Sequence, residues 1–358
     1  MQIGFRAYAL TLMISAFAVA FAVLTVALAI GPSPRSEPDS YGDLTRLGWF
    51  ANSLYAPSRP QLEFLPPRFE VGRYERYHDV LILGDSYSES TAVGWPNYLA
   101  GEGSSVLVVP PAATVGREID VESVLASAPY RAHPPQVFIY QTVERELKNR
   151  FSAPQADCGA PMPVGPEVAW LRVARERPVT RPVTPDLSVD LDDGQIAFAR
   201  DFIVANLKHP FRRREPVVHR EILRAPRFSS KRPRALLFYS ADLATASLEA
   251  ADLDRIRCGL LELQRRIEAG GTTRFIAMIV PDKRSIYAPD VAGAARPGSI
   301  VPKLADPRLT LPRLDLSLRT AVESGELDVY LPNDTHWGAA GHRIAAETVL
   351  AHLRGEPL

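Results

Sequence analysis

The sequence has few cysteines and no excess of charge of either sign. Its 358 residues include two cysteines, which excludes a disulfide-dense scaffold and a zinc site made of cysteine alone. Lysine and arginine together number 41, as do aspartate and glutamate, so no global positive charge indicates a nucleic-acid-binding protein. The 32 prolines exclude a simple helical bundle and indicate long irregular connections. With 46% hydrophobic residues, the chain has the composition of an ordinary globular protein.

One long hydrophobic run is present, close to the N-terminus. Ala7–Ile30 is a stretch of about 24 residues without a charge, which is long enough to cross a bilayer. Arg6 precedes it, and a basic flank marks the cytoplasmic side. Ala27-Leu28-Ala29 resembles a signal-peptidase site, so a cleaved secretory signal is the alternative to an uncleaved anchor. Both interpretations place the rest of the chain outside the inner membrane, and the anchor predicts a single-pass protein whose main domain is periplasmic.

Short apolar runs alternate with helical stretches after residue 76. The predicted strands are Val80–Leu83, Ser105–Val109, Gln136–Tyr140, Ala235–Tyr239, Arg274–Val280 and Asp328–Leu331. Long helices are predicted at Leu248–Glu268 and Gly338–Leu353. This alternation indicates an α/β fold, a three-layer α/β/α domain with a parallel sheet over residues 77–358. Residues 31–76 show no sustained period and are predicted to be an irregular linker after the anchor or signal at 1–30.

A Pro/Arg-rich insertion interrupts the α/β pattern at about residues 151–234. Lys208–Arg234 holds ten lysines and arginines against two acids. A solvated insertion and a patch for an anionic polymer or phospholipid headgroups both fit, and arginine forks suit the carboxylates of a uronic-acid polysaccharide. Outside the cytoplasm, Cys158 and Cys258 could form a disulfide between the insertion and the long helix, although spacing alone does not decide this.

Two motifs combine the residue types needed for nucleophilic catalysis. Ser86, in Leu83-Gly84-Asp85-Ser86, directly follows a predicted strand. Asp334 and His336 follow the last predicted strand and precede the terminal helix. Because active sites of parallel α/β sheets gather at the carboxyl ends of the strands, the fold can bring these groups together. A serine needs a base such as histidine, and the base needs an acceptor that orients it, so a Ser-His-Asp catalytic triad is predicted.

Four blocks together resemble the SGNH/GDSL hydrolase superfamily, and within it the SGNH-like polysaccharide O-acetyltransferases of the AlgX/AlgJ type. The blocks are Gly84-Asp85-Ser86-Tyr87-Ser88, Tyr140-Gln141-Thr142-Val143-Glu144-Arg145, Val280-Pro281-Asp282-Lys283 with Tyr287, and Asp334-Thr335-His336-Trp337 with Tyr330. The order here is the ordinary SGNH order. In the alginate proteins the Asp-His block precedes the Ser block, so this chain resembles them as a relative whose blocks are circularly permuted.

The resemblance implies an enzyme that transfers an acyl group through an acetyl-serine, with Ser86, His336 and Asp334 as its catalytic residues. Candidates for oxyanion or substrate binding are Gly116, Gln141, Glu144, Arg145, Lys283, Tyr287 and Trp337. Several have structural alternatives: an internal Glu144–Arg145 ion pair, packing for Trp337, and a tie to its own loop for Lys283. Asp85 is expected to cap the helix that follows it.

Three functions remain open from the sequence. The first is an exported O-acetyltransferase of an exopolysaccharide, with a polysaccharide acceptor, no cofactor and no metal. Because acetyl-CoA is cytosolic, the resemblance implies a membrane-spanning acyltransferase partner that supplies acetyl groups. The second is an acetyl-esterase with the same triad, and the third is a non-catalytic polysaccharide-binding or export protein that depends on the Lys208–Arg234 patch.

Overall fold

A computed structural model describes most of the chain. The described residues are 4–34, 42–101, 104–110, 121–152, 158–159, 161–163, 165–166, 168, 179–208, 216–293 and 296–356.

Helices and strands alternate along these residues. The helices are α1 Phe5–Ala29, α2 Asp43–Gly48, α3 Asn52–Tyr55, α4 Ser86–Glu89, α5 Pro96–Gly101, α6 Val121–Ala126, α7 Ala128–Ala132, α8 Leu147–Arg150, α9 Asp193–Lys208, α10 Ala250–Glu268, α11 Lys283–Tyr287, α12 Val301–Leu304, α13 Leu314–Glu323 and α14 Ala339–Arg354. The strands are β1 Gln61–Phe64, β2 Glu70–Val71, β3 Val80–Leu83, β4 Val106–Val109, β5 Val137–Val143, β6 Thr180–Val183, β7 Val218–Ile222, β8 Ala235–Tyr239 and β9 Arg274–Val280. Short 3₁₀ helices span Glu144–Glu146, Ser240–Ser247 and Ala288–Asp290.

Local sequence signals fix the ends of the long helices. A capping box begins α10, in which the Glu249 side chain accepts from the backbone of Asp252 and the Asp252 side chain accepts from the backbone of Glu249. The terminal helix α14 ends at Gly355, whose φ of 68° lies in the left-handed region that glycine adopts without strain.

A five-stranded parallel sheet forms the centre, in the order β2-β4-β3-β5-β9. Leu83, the last residue of β3, pairs with Val109 on one side and Tyr140 on the other. The carboxyl ends of the middle strands therefore reach the same edge of the sheet, and Ser86 lies just beyond it.

Alternate residues of each strand pack into two separate cores. In β3, Val80 and Ile82 contact the core formed with α5, α13 and α14, whereas Leu81 and Leu83 contact the core formed with α8, α10 and α12. Continuous apolar strands covered on both faces are the signature of a buried parallel sheet. The predicted three-layer α/β/α fold is confirmed.

Two predicted strands differ from those in the structure. The run Ala235–Tyr239 is not part of the parallel sheet, because it pairs antiparallel with Val218–Ile222 of the insertion. Both of its faces are covered, Leu236 and Phe238 by the main core and Leu237 by a smaller one, so its sequence looks like that of a central strand. At Asp328–Leu331 the structure has an isolated bridge between Tyr330 and Trp337 rather than a strand.

Residues 31–76, predicted to be an irregular linker, contain α2, α3, β1 and β2. Strand β2 extends the central sheet by pairing with β4, and β1 pairs with β6 of the insertion. The described part of this segment therefore belongs to the folded domain. The sequence gives little indication of this because the elements are two to six residues long, shorter than a helical or strand period needs.

Helix α1 is long and apolar enough to cross a membrane. Residues Ala7–Ala29 have a mean hydropathy of 2.5 and are largely exposed. The last two turns differ from the rest, because Ala27 and Ile30 are buried against Ala199 of α9. The C-terminal end of α1 thus packs against α9.

Cys158 and Cys258 form a disulfide across a separation of 100 residues. It ties the start of the insertion to α10, as the sequence allowed.

Closing so long a loop restricts the unfolded chain, and we expect the bond to contribute about 2–4 kcal/mol to the free energy of unfolding. Thermal unfolding of the full-length protein in detergent, with and without reductant, measures this. A Cys158→Ser/Cys258→Ser variant should unfold, with or without reductant, at the temperature of the reduced wild type. An oxidised wild type that unfolds at the same temperature as this variant would contradict the expectation.

Candidate active site

The turn after β3 presents Ser86 at the edge of the sheet. Asp85 caps α4, since its carboxylate accepts from the Tyr87 N–H at 3.2 Å, as expected. The same carboxylate accepts from Gln141 Nε2 at 2.7 Å and from the Val143 N–H at 3.1 Å, which fixes the turn to β5. Ser86 is the first residue of α4 and is exposed. Its own N–H has no acceptor within the helix and is a candidate donor to an oxyanion.

Ser86, His336 and Asp334 form a continuous hydrogen-bonded row. Ser86 Oγ lies 2.8 Å from His336 Nε2, although 250 residues separate them in the chain. On the other side of the ring, His336 Nδ1 lies 2.6 Å from Asp334 Oδ1. An ionised carboxylate only accepts, so Nδ1 carries the ring proton and Nε2 is free to accept from the serine hydroxyl. The row has the geometry of a serine nucleophile with an oriented base.

The electrostatics of the row favour an ionised Asp334 and a basic His336. Burial alone would raise the pKa of Asp334, but the hydrogen bond and charge of His336, with the N–H groups of Asp43 and His336, hold that pKa well below its usual range. Burial also disfavours the charged form of His336, yet the hydrogen bond and charge of Asp334 outweigh it and raise the pKa of His336. An imidazolium formed here is therefore stabilised.

Lys283 holds the loop that carries Asp334. Its ammonium group donates to the carbonyl oxygens of Leu331 at 2.7 Å, Pro332 at 3.2 Å and Asp334 at 3.0 Å. The side chain is completely buried, and burial lowers the pKa of Lys283 to about 7. Of the two sequence interpretations, the structure supports the tie to the protein's own loops. Contact with a donor or a substrate carboxylate is excluded by burial.

Gln141 and Glu144 are also turned inward. Gln141 is fully buried; its Oε1 accepts from the Asp85 N–H and from Ser88 Oγ, and its Nε2 donates to Asp85, so the side chain organises the turn and does not support the predicted oxyanion role. Glu144 is buried and accepts from the N–H groups of Asp282 and Ile300. Neither side chain can reach a substrate.

Arg145 does not form the predicted ion pair with Glu144. Its guanidinium instead lies 2.7 Å from Asp282 and 3.2 Å from Asp242, both completely buried at the side chain. Burial alone would lower the pKa of Arg145, but these two carboxylates raise it, so the group stays charged. Glu144 is occupied by other donors, the N–H groups of Asp282 and Ile300 and the Ser299 hydroxyl. Of the candidates for substrate contact that the structure describes, Arg145 lines the cavity next to Ser86.

Tyr287 and Trp337 pack behind the site. Both are essentially fully buried. Trp337 lies edge-on to Tyr87 with ring centroids 4.9 Å apart, and the Tyr87 hydroxyl donates to the Thr335 carbonyl at 2.7 Å. These aromatic contacts pack against the loop that carries Asp334 and His336. Tyr287 and Trp337, which were predicted as candidates for substrate binding, are therefore packing residues. Gly116 lies outside the described residues.

A cavity of about 780 Å³ opens beside Ser86. Its walls come from the first turn of α4, from the start of α6, from β5 to α8 and from α10, and its volume lies in the range of small-molecule sites. Polar side chains dominate one wall, where Arg266 forms a forked ion pair with Glu122. The arrangement can hold a polar acceptor such as a sugar against the serine.

Three of the described residues, Asp43, Asp334 and His336, have potential metal ligand atoms within 4.8 Å of one another. Hydrogen bonds already explain this proximity, because His336 Nδ1 contacts Asp334 and the Asp43 N–H donates to Asp334 Oδ2. We assign no metal to the group.

Comparison with known families supports the chemistry that this geometry allows. Residues 235–358 match the family model described as the SGNH hydrolase-like domain of the acetyltransferase AlgX. This part of the chain resembles AlgX. The resemblance first inferred from motifs is therefore confirmed for the part that holds Lys283, Asp334 and His336, while Ser86 precedes the matched residues. No curated protein and no solved structure matches the chain.

Three acidic residues of the site were not predicted from the sequence. Asp242 and Asp282 bind Arg145, and Asp43 contacts the Asp334 loop. Asp282 stands inside a block that resembles AlgX-type proteins, so attention to that block could have found it. Asp43 lies in a segment without a period, and no local signal indicates its contact across 291 residues of chain.

Proposed function

We propose that the chain is an exported, membrane-anchored O-acetyltransferase that acetylates an exopolysaccharide through an acetyl-serine intermediate. The observation that carries this proposal is the hydrogen-bonded row from Ser86 through His336 to Asp334 at the edge of an open polar cavity. The AlgX resemblance adds the reaction class, since the matching family model describes an acetyltransferase.

The geometry supports a two-step acyl transfer. Ser86 Oγ attacks the carbonyl carbon of an acetyl donor while its proton passes to His336 Nε2, and Asp334 stabilises the imidazolium. In this proposal the Ser86 N–H donates to the developing oxyanion. As the donor's leaving group departs, it takes the proton from Nε2, and acetyl-Ser86 remains. A sugar hydroxyl then gives its proton to His336 Nε2 and attacks the acetyl carbonyl; the bond to Ser86 Oγ breaks, and Oγ takes that proton from Nε2.

Packing at the end of α1 supports an anchor over a cleaved signal. Gln195 Nε2 donates to the carbonyl oxygens of Ala27 at 2.7 Å and Gly31 at 2.9 Å. Ala27 and Ile30 are buried against α9. Cleavage after Ala29 would remove part of this packing and expose its apolar partners. We therefore propose one span of the inner membrane, with the domain that carries Ser86 in the periplasm.

The acceptor is proposed to bind at the cavity rather than at the basic insertion. In the described part of Lys208–Arg234, Arg227 pairs with Asp290 at 2.9 Å, and Arg234 donates to the Leu223 carbonyl at 2.7 Å. These two arginines make their contacts within the fold, so they do not support a polymer-binding patch, while Lys231 and Arg232 are exposed as in a solvated insertion. The acetyl donor is proposed to be a membrane-spanning acyltransferase partner, because acetyl-CoA is confined to the cytosol.

Acceptor dependence separates the proposed transferase from its alternatives. Full-length protein in detergent is given a chromogenic acetyl ester, with and without neutral and uronic-acid oligosaccharides. We expect acetyl groups on the oligosaccharide and faster release of the chromophore when an acceptor is present. Ester cleavage that ignores every acceptor would instead indicate the acetyl-esterase. Acceptor binding without any cleavage, even when the acyltransferase partner is co-expressed, would indicate the non-catalytic binding protein.

A further inference from the structure

The segment that follows α1 is docked directly on the loop that carries Asp334. The N–H of Asp43, at the start of α2, donates to Asp334 Oδ2 at 2.8 Å. The next N–H, from Leu44, donates to the Asn333 carbonyl at 3.1 Å. Gly42 fits closely, since a Cβ there would lie 2.2 Å from the Asn333 oxygen. Asp334 Oδ2, the oxygen that does not contact His336 Nδ1, is thus hydrogen-bonded to this segment.

The Asp43 side chain completes a reciprocal arrangement with the same loop. Its carboxylate accepts from the Thr335 N–H at 2.9 Å and from Thr335 Oγ1 at 2.7 Å. Thr335 stands between Asp334 and His336. The backbone and the side chain of Asp43 together therefore fix the loop on which both catalytic candidates lie. Charge-assisted bonds of this kind are stronger than neutral ones and limit the rotation of the groups they hold.

We propose that Asp43 is a positioning residue for acyl transfer, which fixes the Asp334–His336 pair through Thr335 and through the outer oxygen of Asp334. This inference rests on the proposed function of Ser86 and His336. Asp43 itself is not proposed to touch the substrate.

Two neighbouring residues connect this arrangement to the end of α1. The Ser53 N–H donates to the Ile30 carbonyl at 3.2 Å, and Asn52 Oδ1 accepts from Asn333 Nδ2 at 2.9 Å. Asn52 is fully buried. The described part of the chain between α1 and β1 is therefore a fixed element of the site rather than a flexible tether.

The charge of Asp43 also acts on His336. Asp334, Asp43 and Asp85 each raise the pKa of His336 against the effect of burial. The charge of His336 also acts on Glu89, and the nearby His342 stays neutral because burial lowers its pKa to about 3. Burial and Asp334 raise the pKa of Asp43 itself, and burial and Asp43 raise that of Tyr239. Asparagine at position 43 keeps the shape but removes one negative charge, so the imidazolium is less stabilised and the pKa of His336 should fall.

Full-length protein in detergent is compared as wild type, Asp43→Asn, Asp43→Ala and Asp254→Asn, the last a control in which an exposed aspartate on α10 is changed. The first readout is the titration of the His336 ring by NMR, assigned with His336→Ala. The second is the labelling rate by a fluorophosphonate, in which Ser86 Oγ bonds to phosphorus, fluoride leaves and the hydroxyl proton passes to His336.

We expect Asp43→Asn to lower the His336 midpoint by about 0.5–1 pH unit, and Asp254→Asn to leave it unchanged. Asp43→Ala should slow labelling about tenfold or more near neutral pH, and asparagine should restore most of that rate. Should Asp43→Ala fail to fold, Thr335→Val, which removes the hydroxyl that donates to Asp43, is expected to slow labelling in the same direction.

An unchanged His336 midpoint in Asp43→Asn, with Asp43→Ala or Thr335→Val labelled at the wild-type rate, would overturn the role of Asp43. A wild-type protein that is never labelled would count against the proposed function instead. The NMR titration would in that case still decide whether Asp43 acts on His336.

Discussion

Ser86→Ala should lower the rate of acetyl transfer by at least about 10³-fold while the fold and its stability stay unchanged. The hydroxyl is exposed at the edge of the sheet and contacts His336 Nε2, so its removal deletes the nucleophile and leaves no buried cavity. Release of acetate or of a chromophore from an acetyl ester measures the rate, and circular dichroism checks the fold. Ser90→Ala, an exposed serine four residues away, is the matched control and should keep wild-type activity.

His336→Ala should have a similar effect, because the serine without its base is a weak nucleophile. The double variant should be no slower than either single variant, since groups that act as a unit are not additive. His133→Ala changes an exposed histidine that precedes the amino end of β5, away from the edge that carries Ser86, and should keep wild-type activity. Turnover at the wild-type rate in Ser86→Ala would refute the assigned nucleophile.

Lys283→Met should have the second-largest effect, on stability and on activity together. Methionine fills a similar volume but removes the buried donor to the carbonyl oxygens of Leu331, Pro332 and Asp334, of which Leu331 keeps the Asp334 N–H at 3.4 Å. Each buried group left unpaired costs about 1–3 kcal/mol, so we expect the free energy of unfolding to fall by about 3 kcal/mol or more.

Activity should fall about tenfold to hundredfold in the same variant, because small displacements of catalytic groups are costly. Lys303→Met on α12 is the matched control, since this lysine is exposed. Chemical unfolding and ester turnover, measured on the same preparations, test both effects. A Lys283→Met protein as stable and as active as Lys303→Met would mean that other contacts hold the Asp334 loop.

The sheet and the position of Ser86 could be predicted because they follow from local patterns and one rule of topology. Continuous apolar runs such as Val80–Leu83 identify buried strands, and parallel strands bring their carboxyl ends to one edge. The rule places Ser86 at that edge, after β3. The expected contact between Ser86 and His336 is present across 250 residues, but it arises differently, because Asp328–Leu331 is not a strand of the sheet. Lys283, which follows β9, holds the Asp334 loop at the edge instead.

Burial of the remaining motif residues could not be predicted in the same way. Lys283 and Trp337 have polar groups that suit a substrate, and a sequence gives the residue type without its depth in the fold. The structure buries Lys283 against three carbonyl oxygens and Trp337 against Tyr87. Likewise Asp43 could not be foreseen, because its role comes from tertiary docking of a short segment and not from any periodic pattern.

Mass spectrometry of the peptide that contains Ser86 tests the proposed acyl transfer most directly. Full-length protein is mixed with an acetyl ester and quenched in acid before an oligosaccharide is added, and a second sample is quenched after its addition. The proposal predicts one acetyl group on Ser86 in the first sample, its loss in the second, and its appearance on the oligosaccharide. Acetylated oligosaccharide formed at the wild-type rate without any acetyl group on Ser86, or by Ser86→Ala, would contradict it.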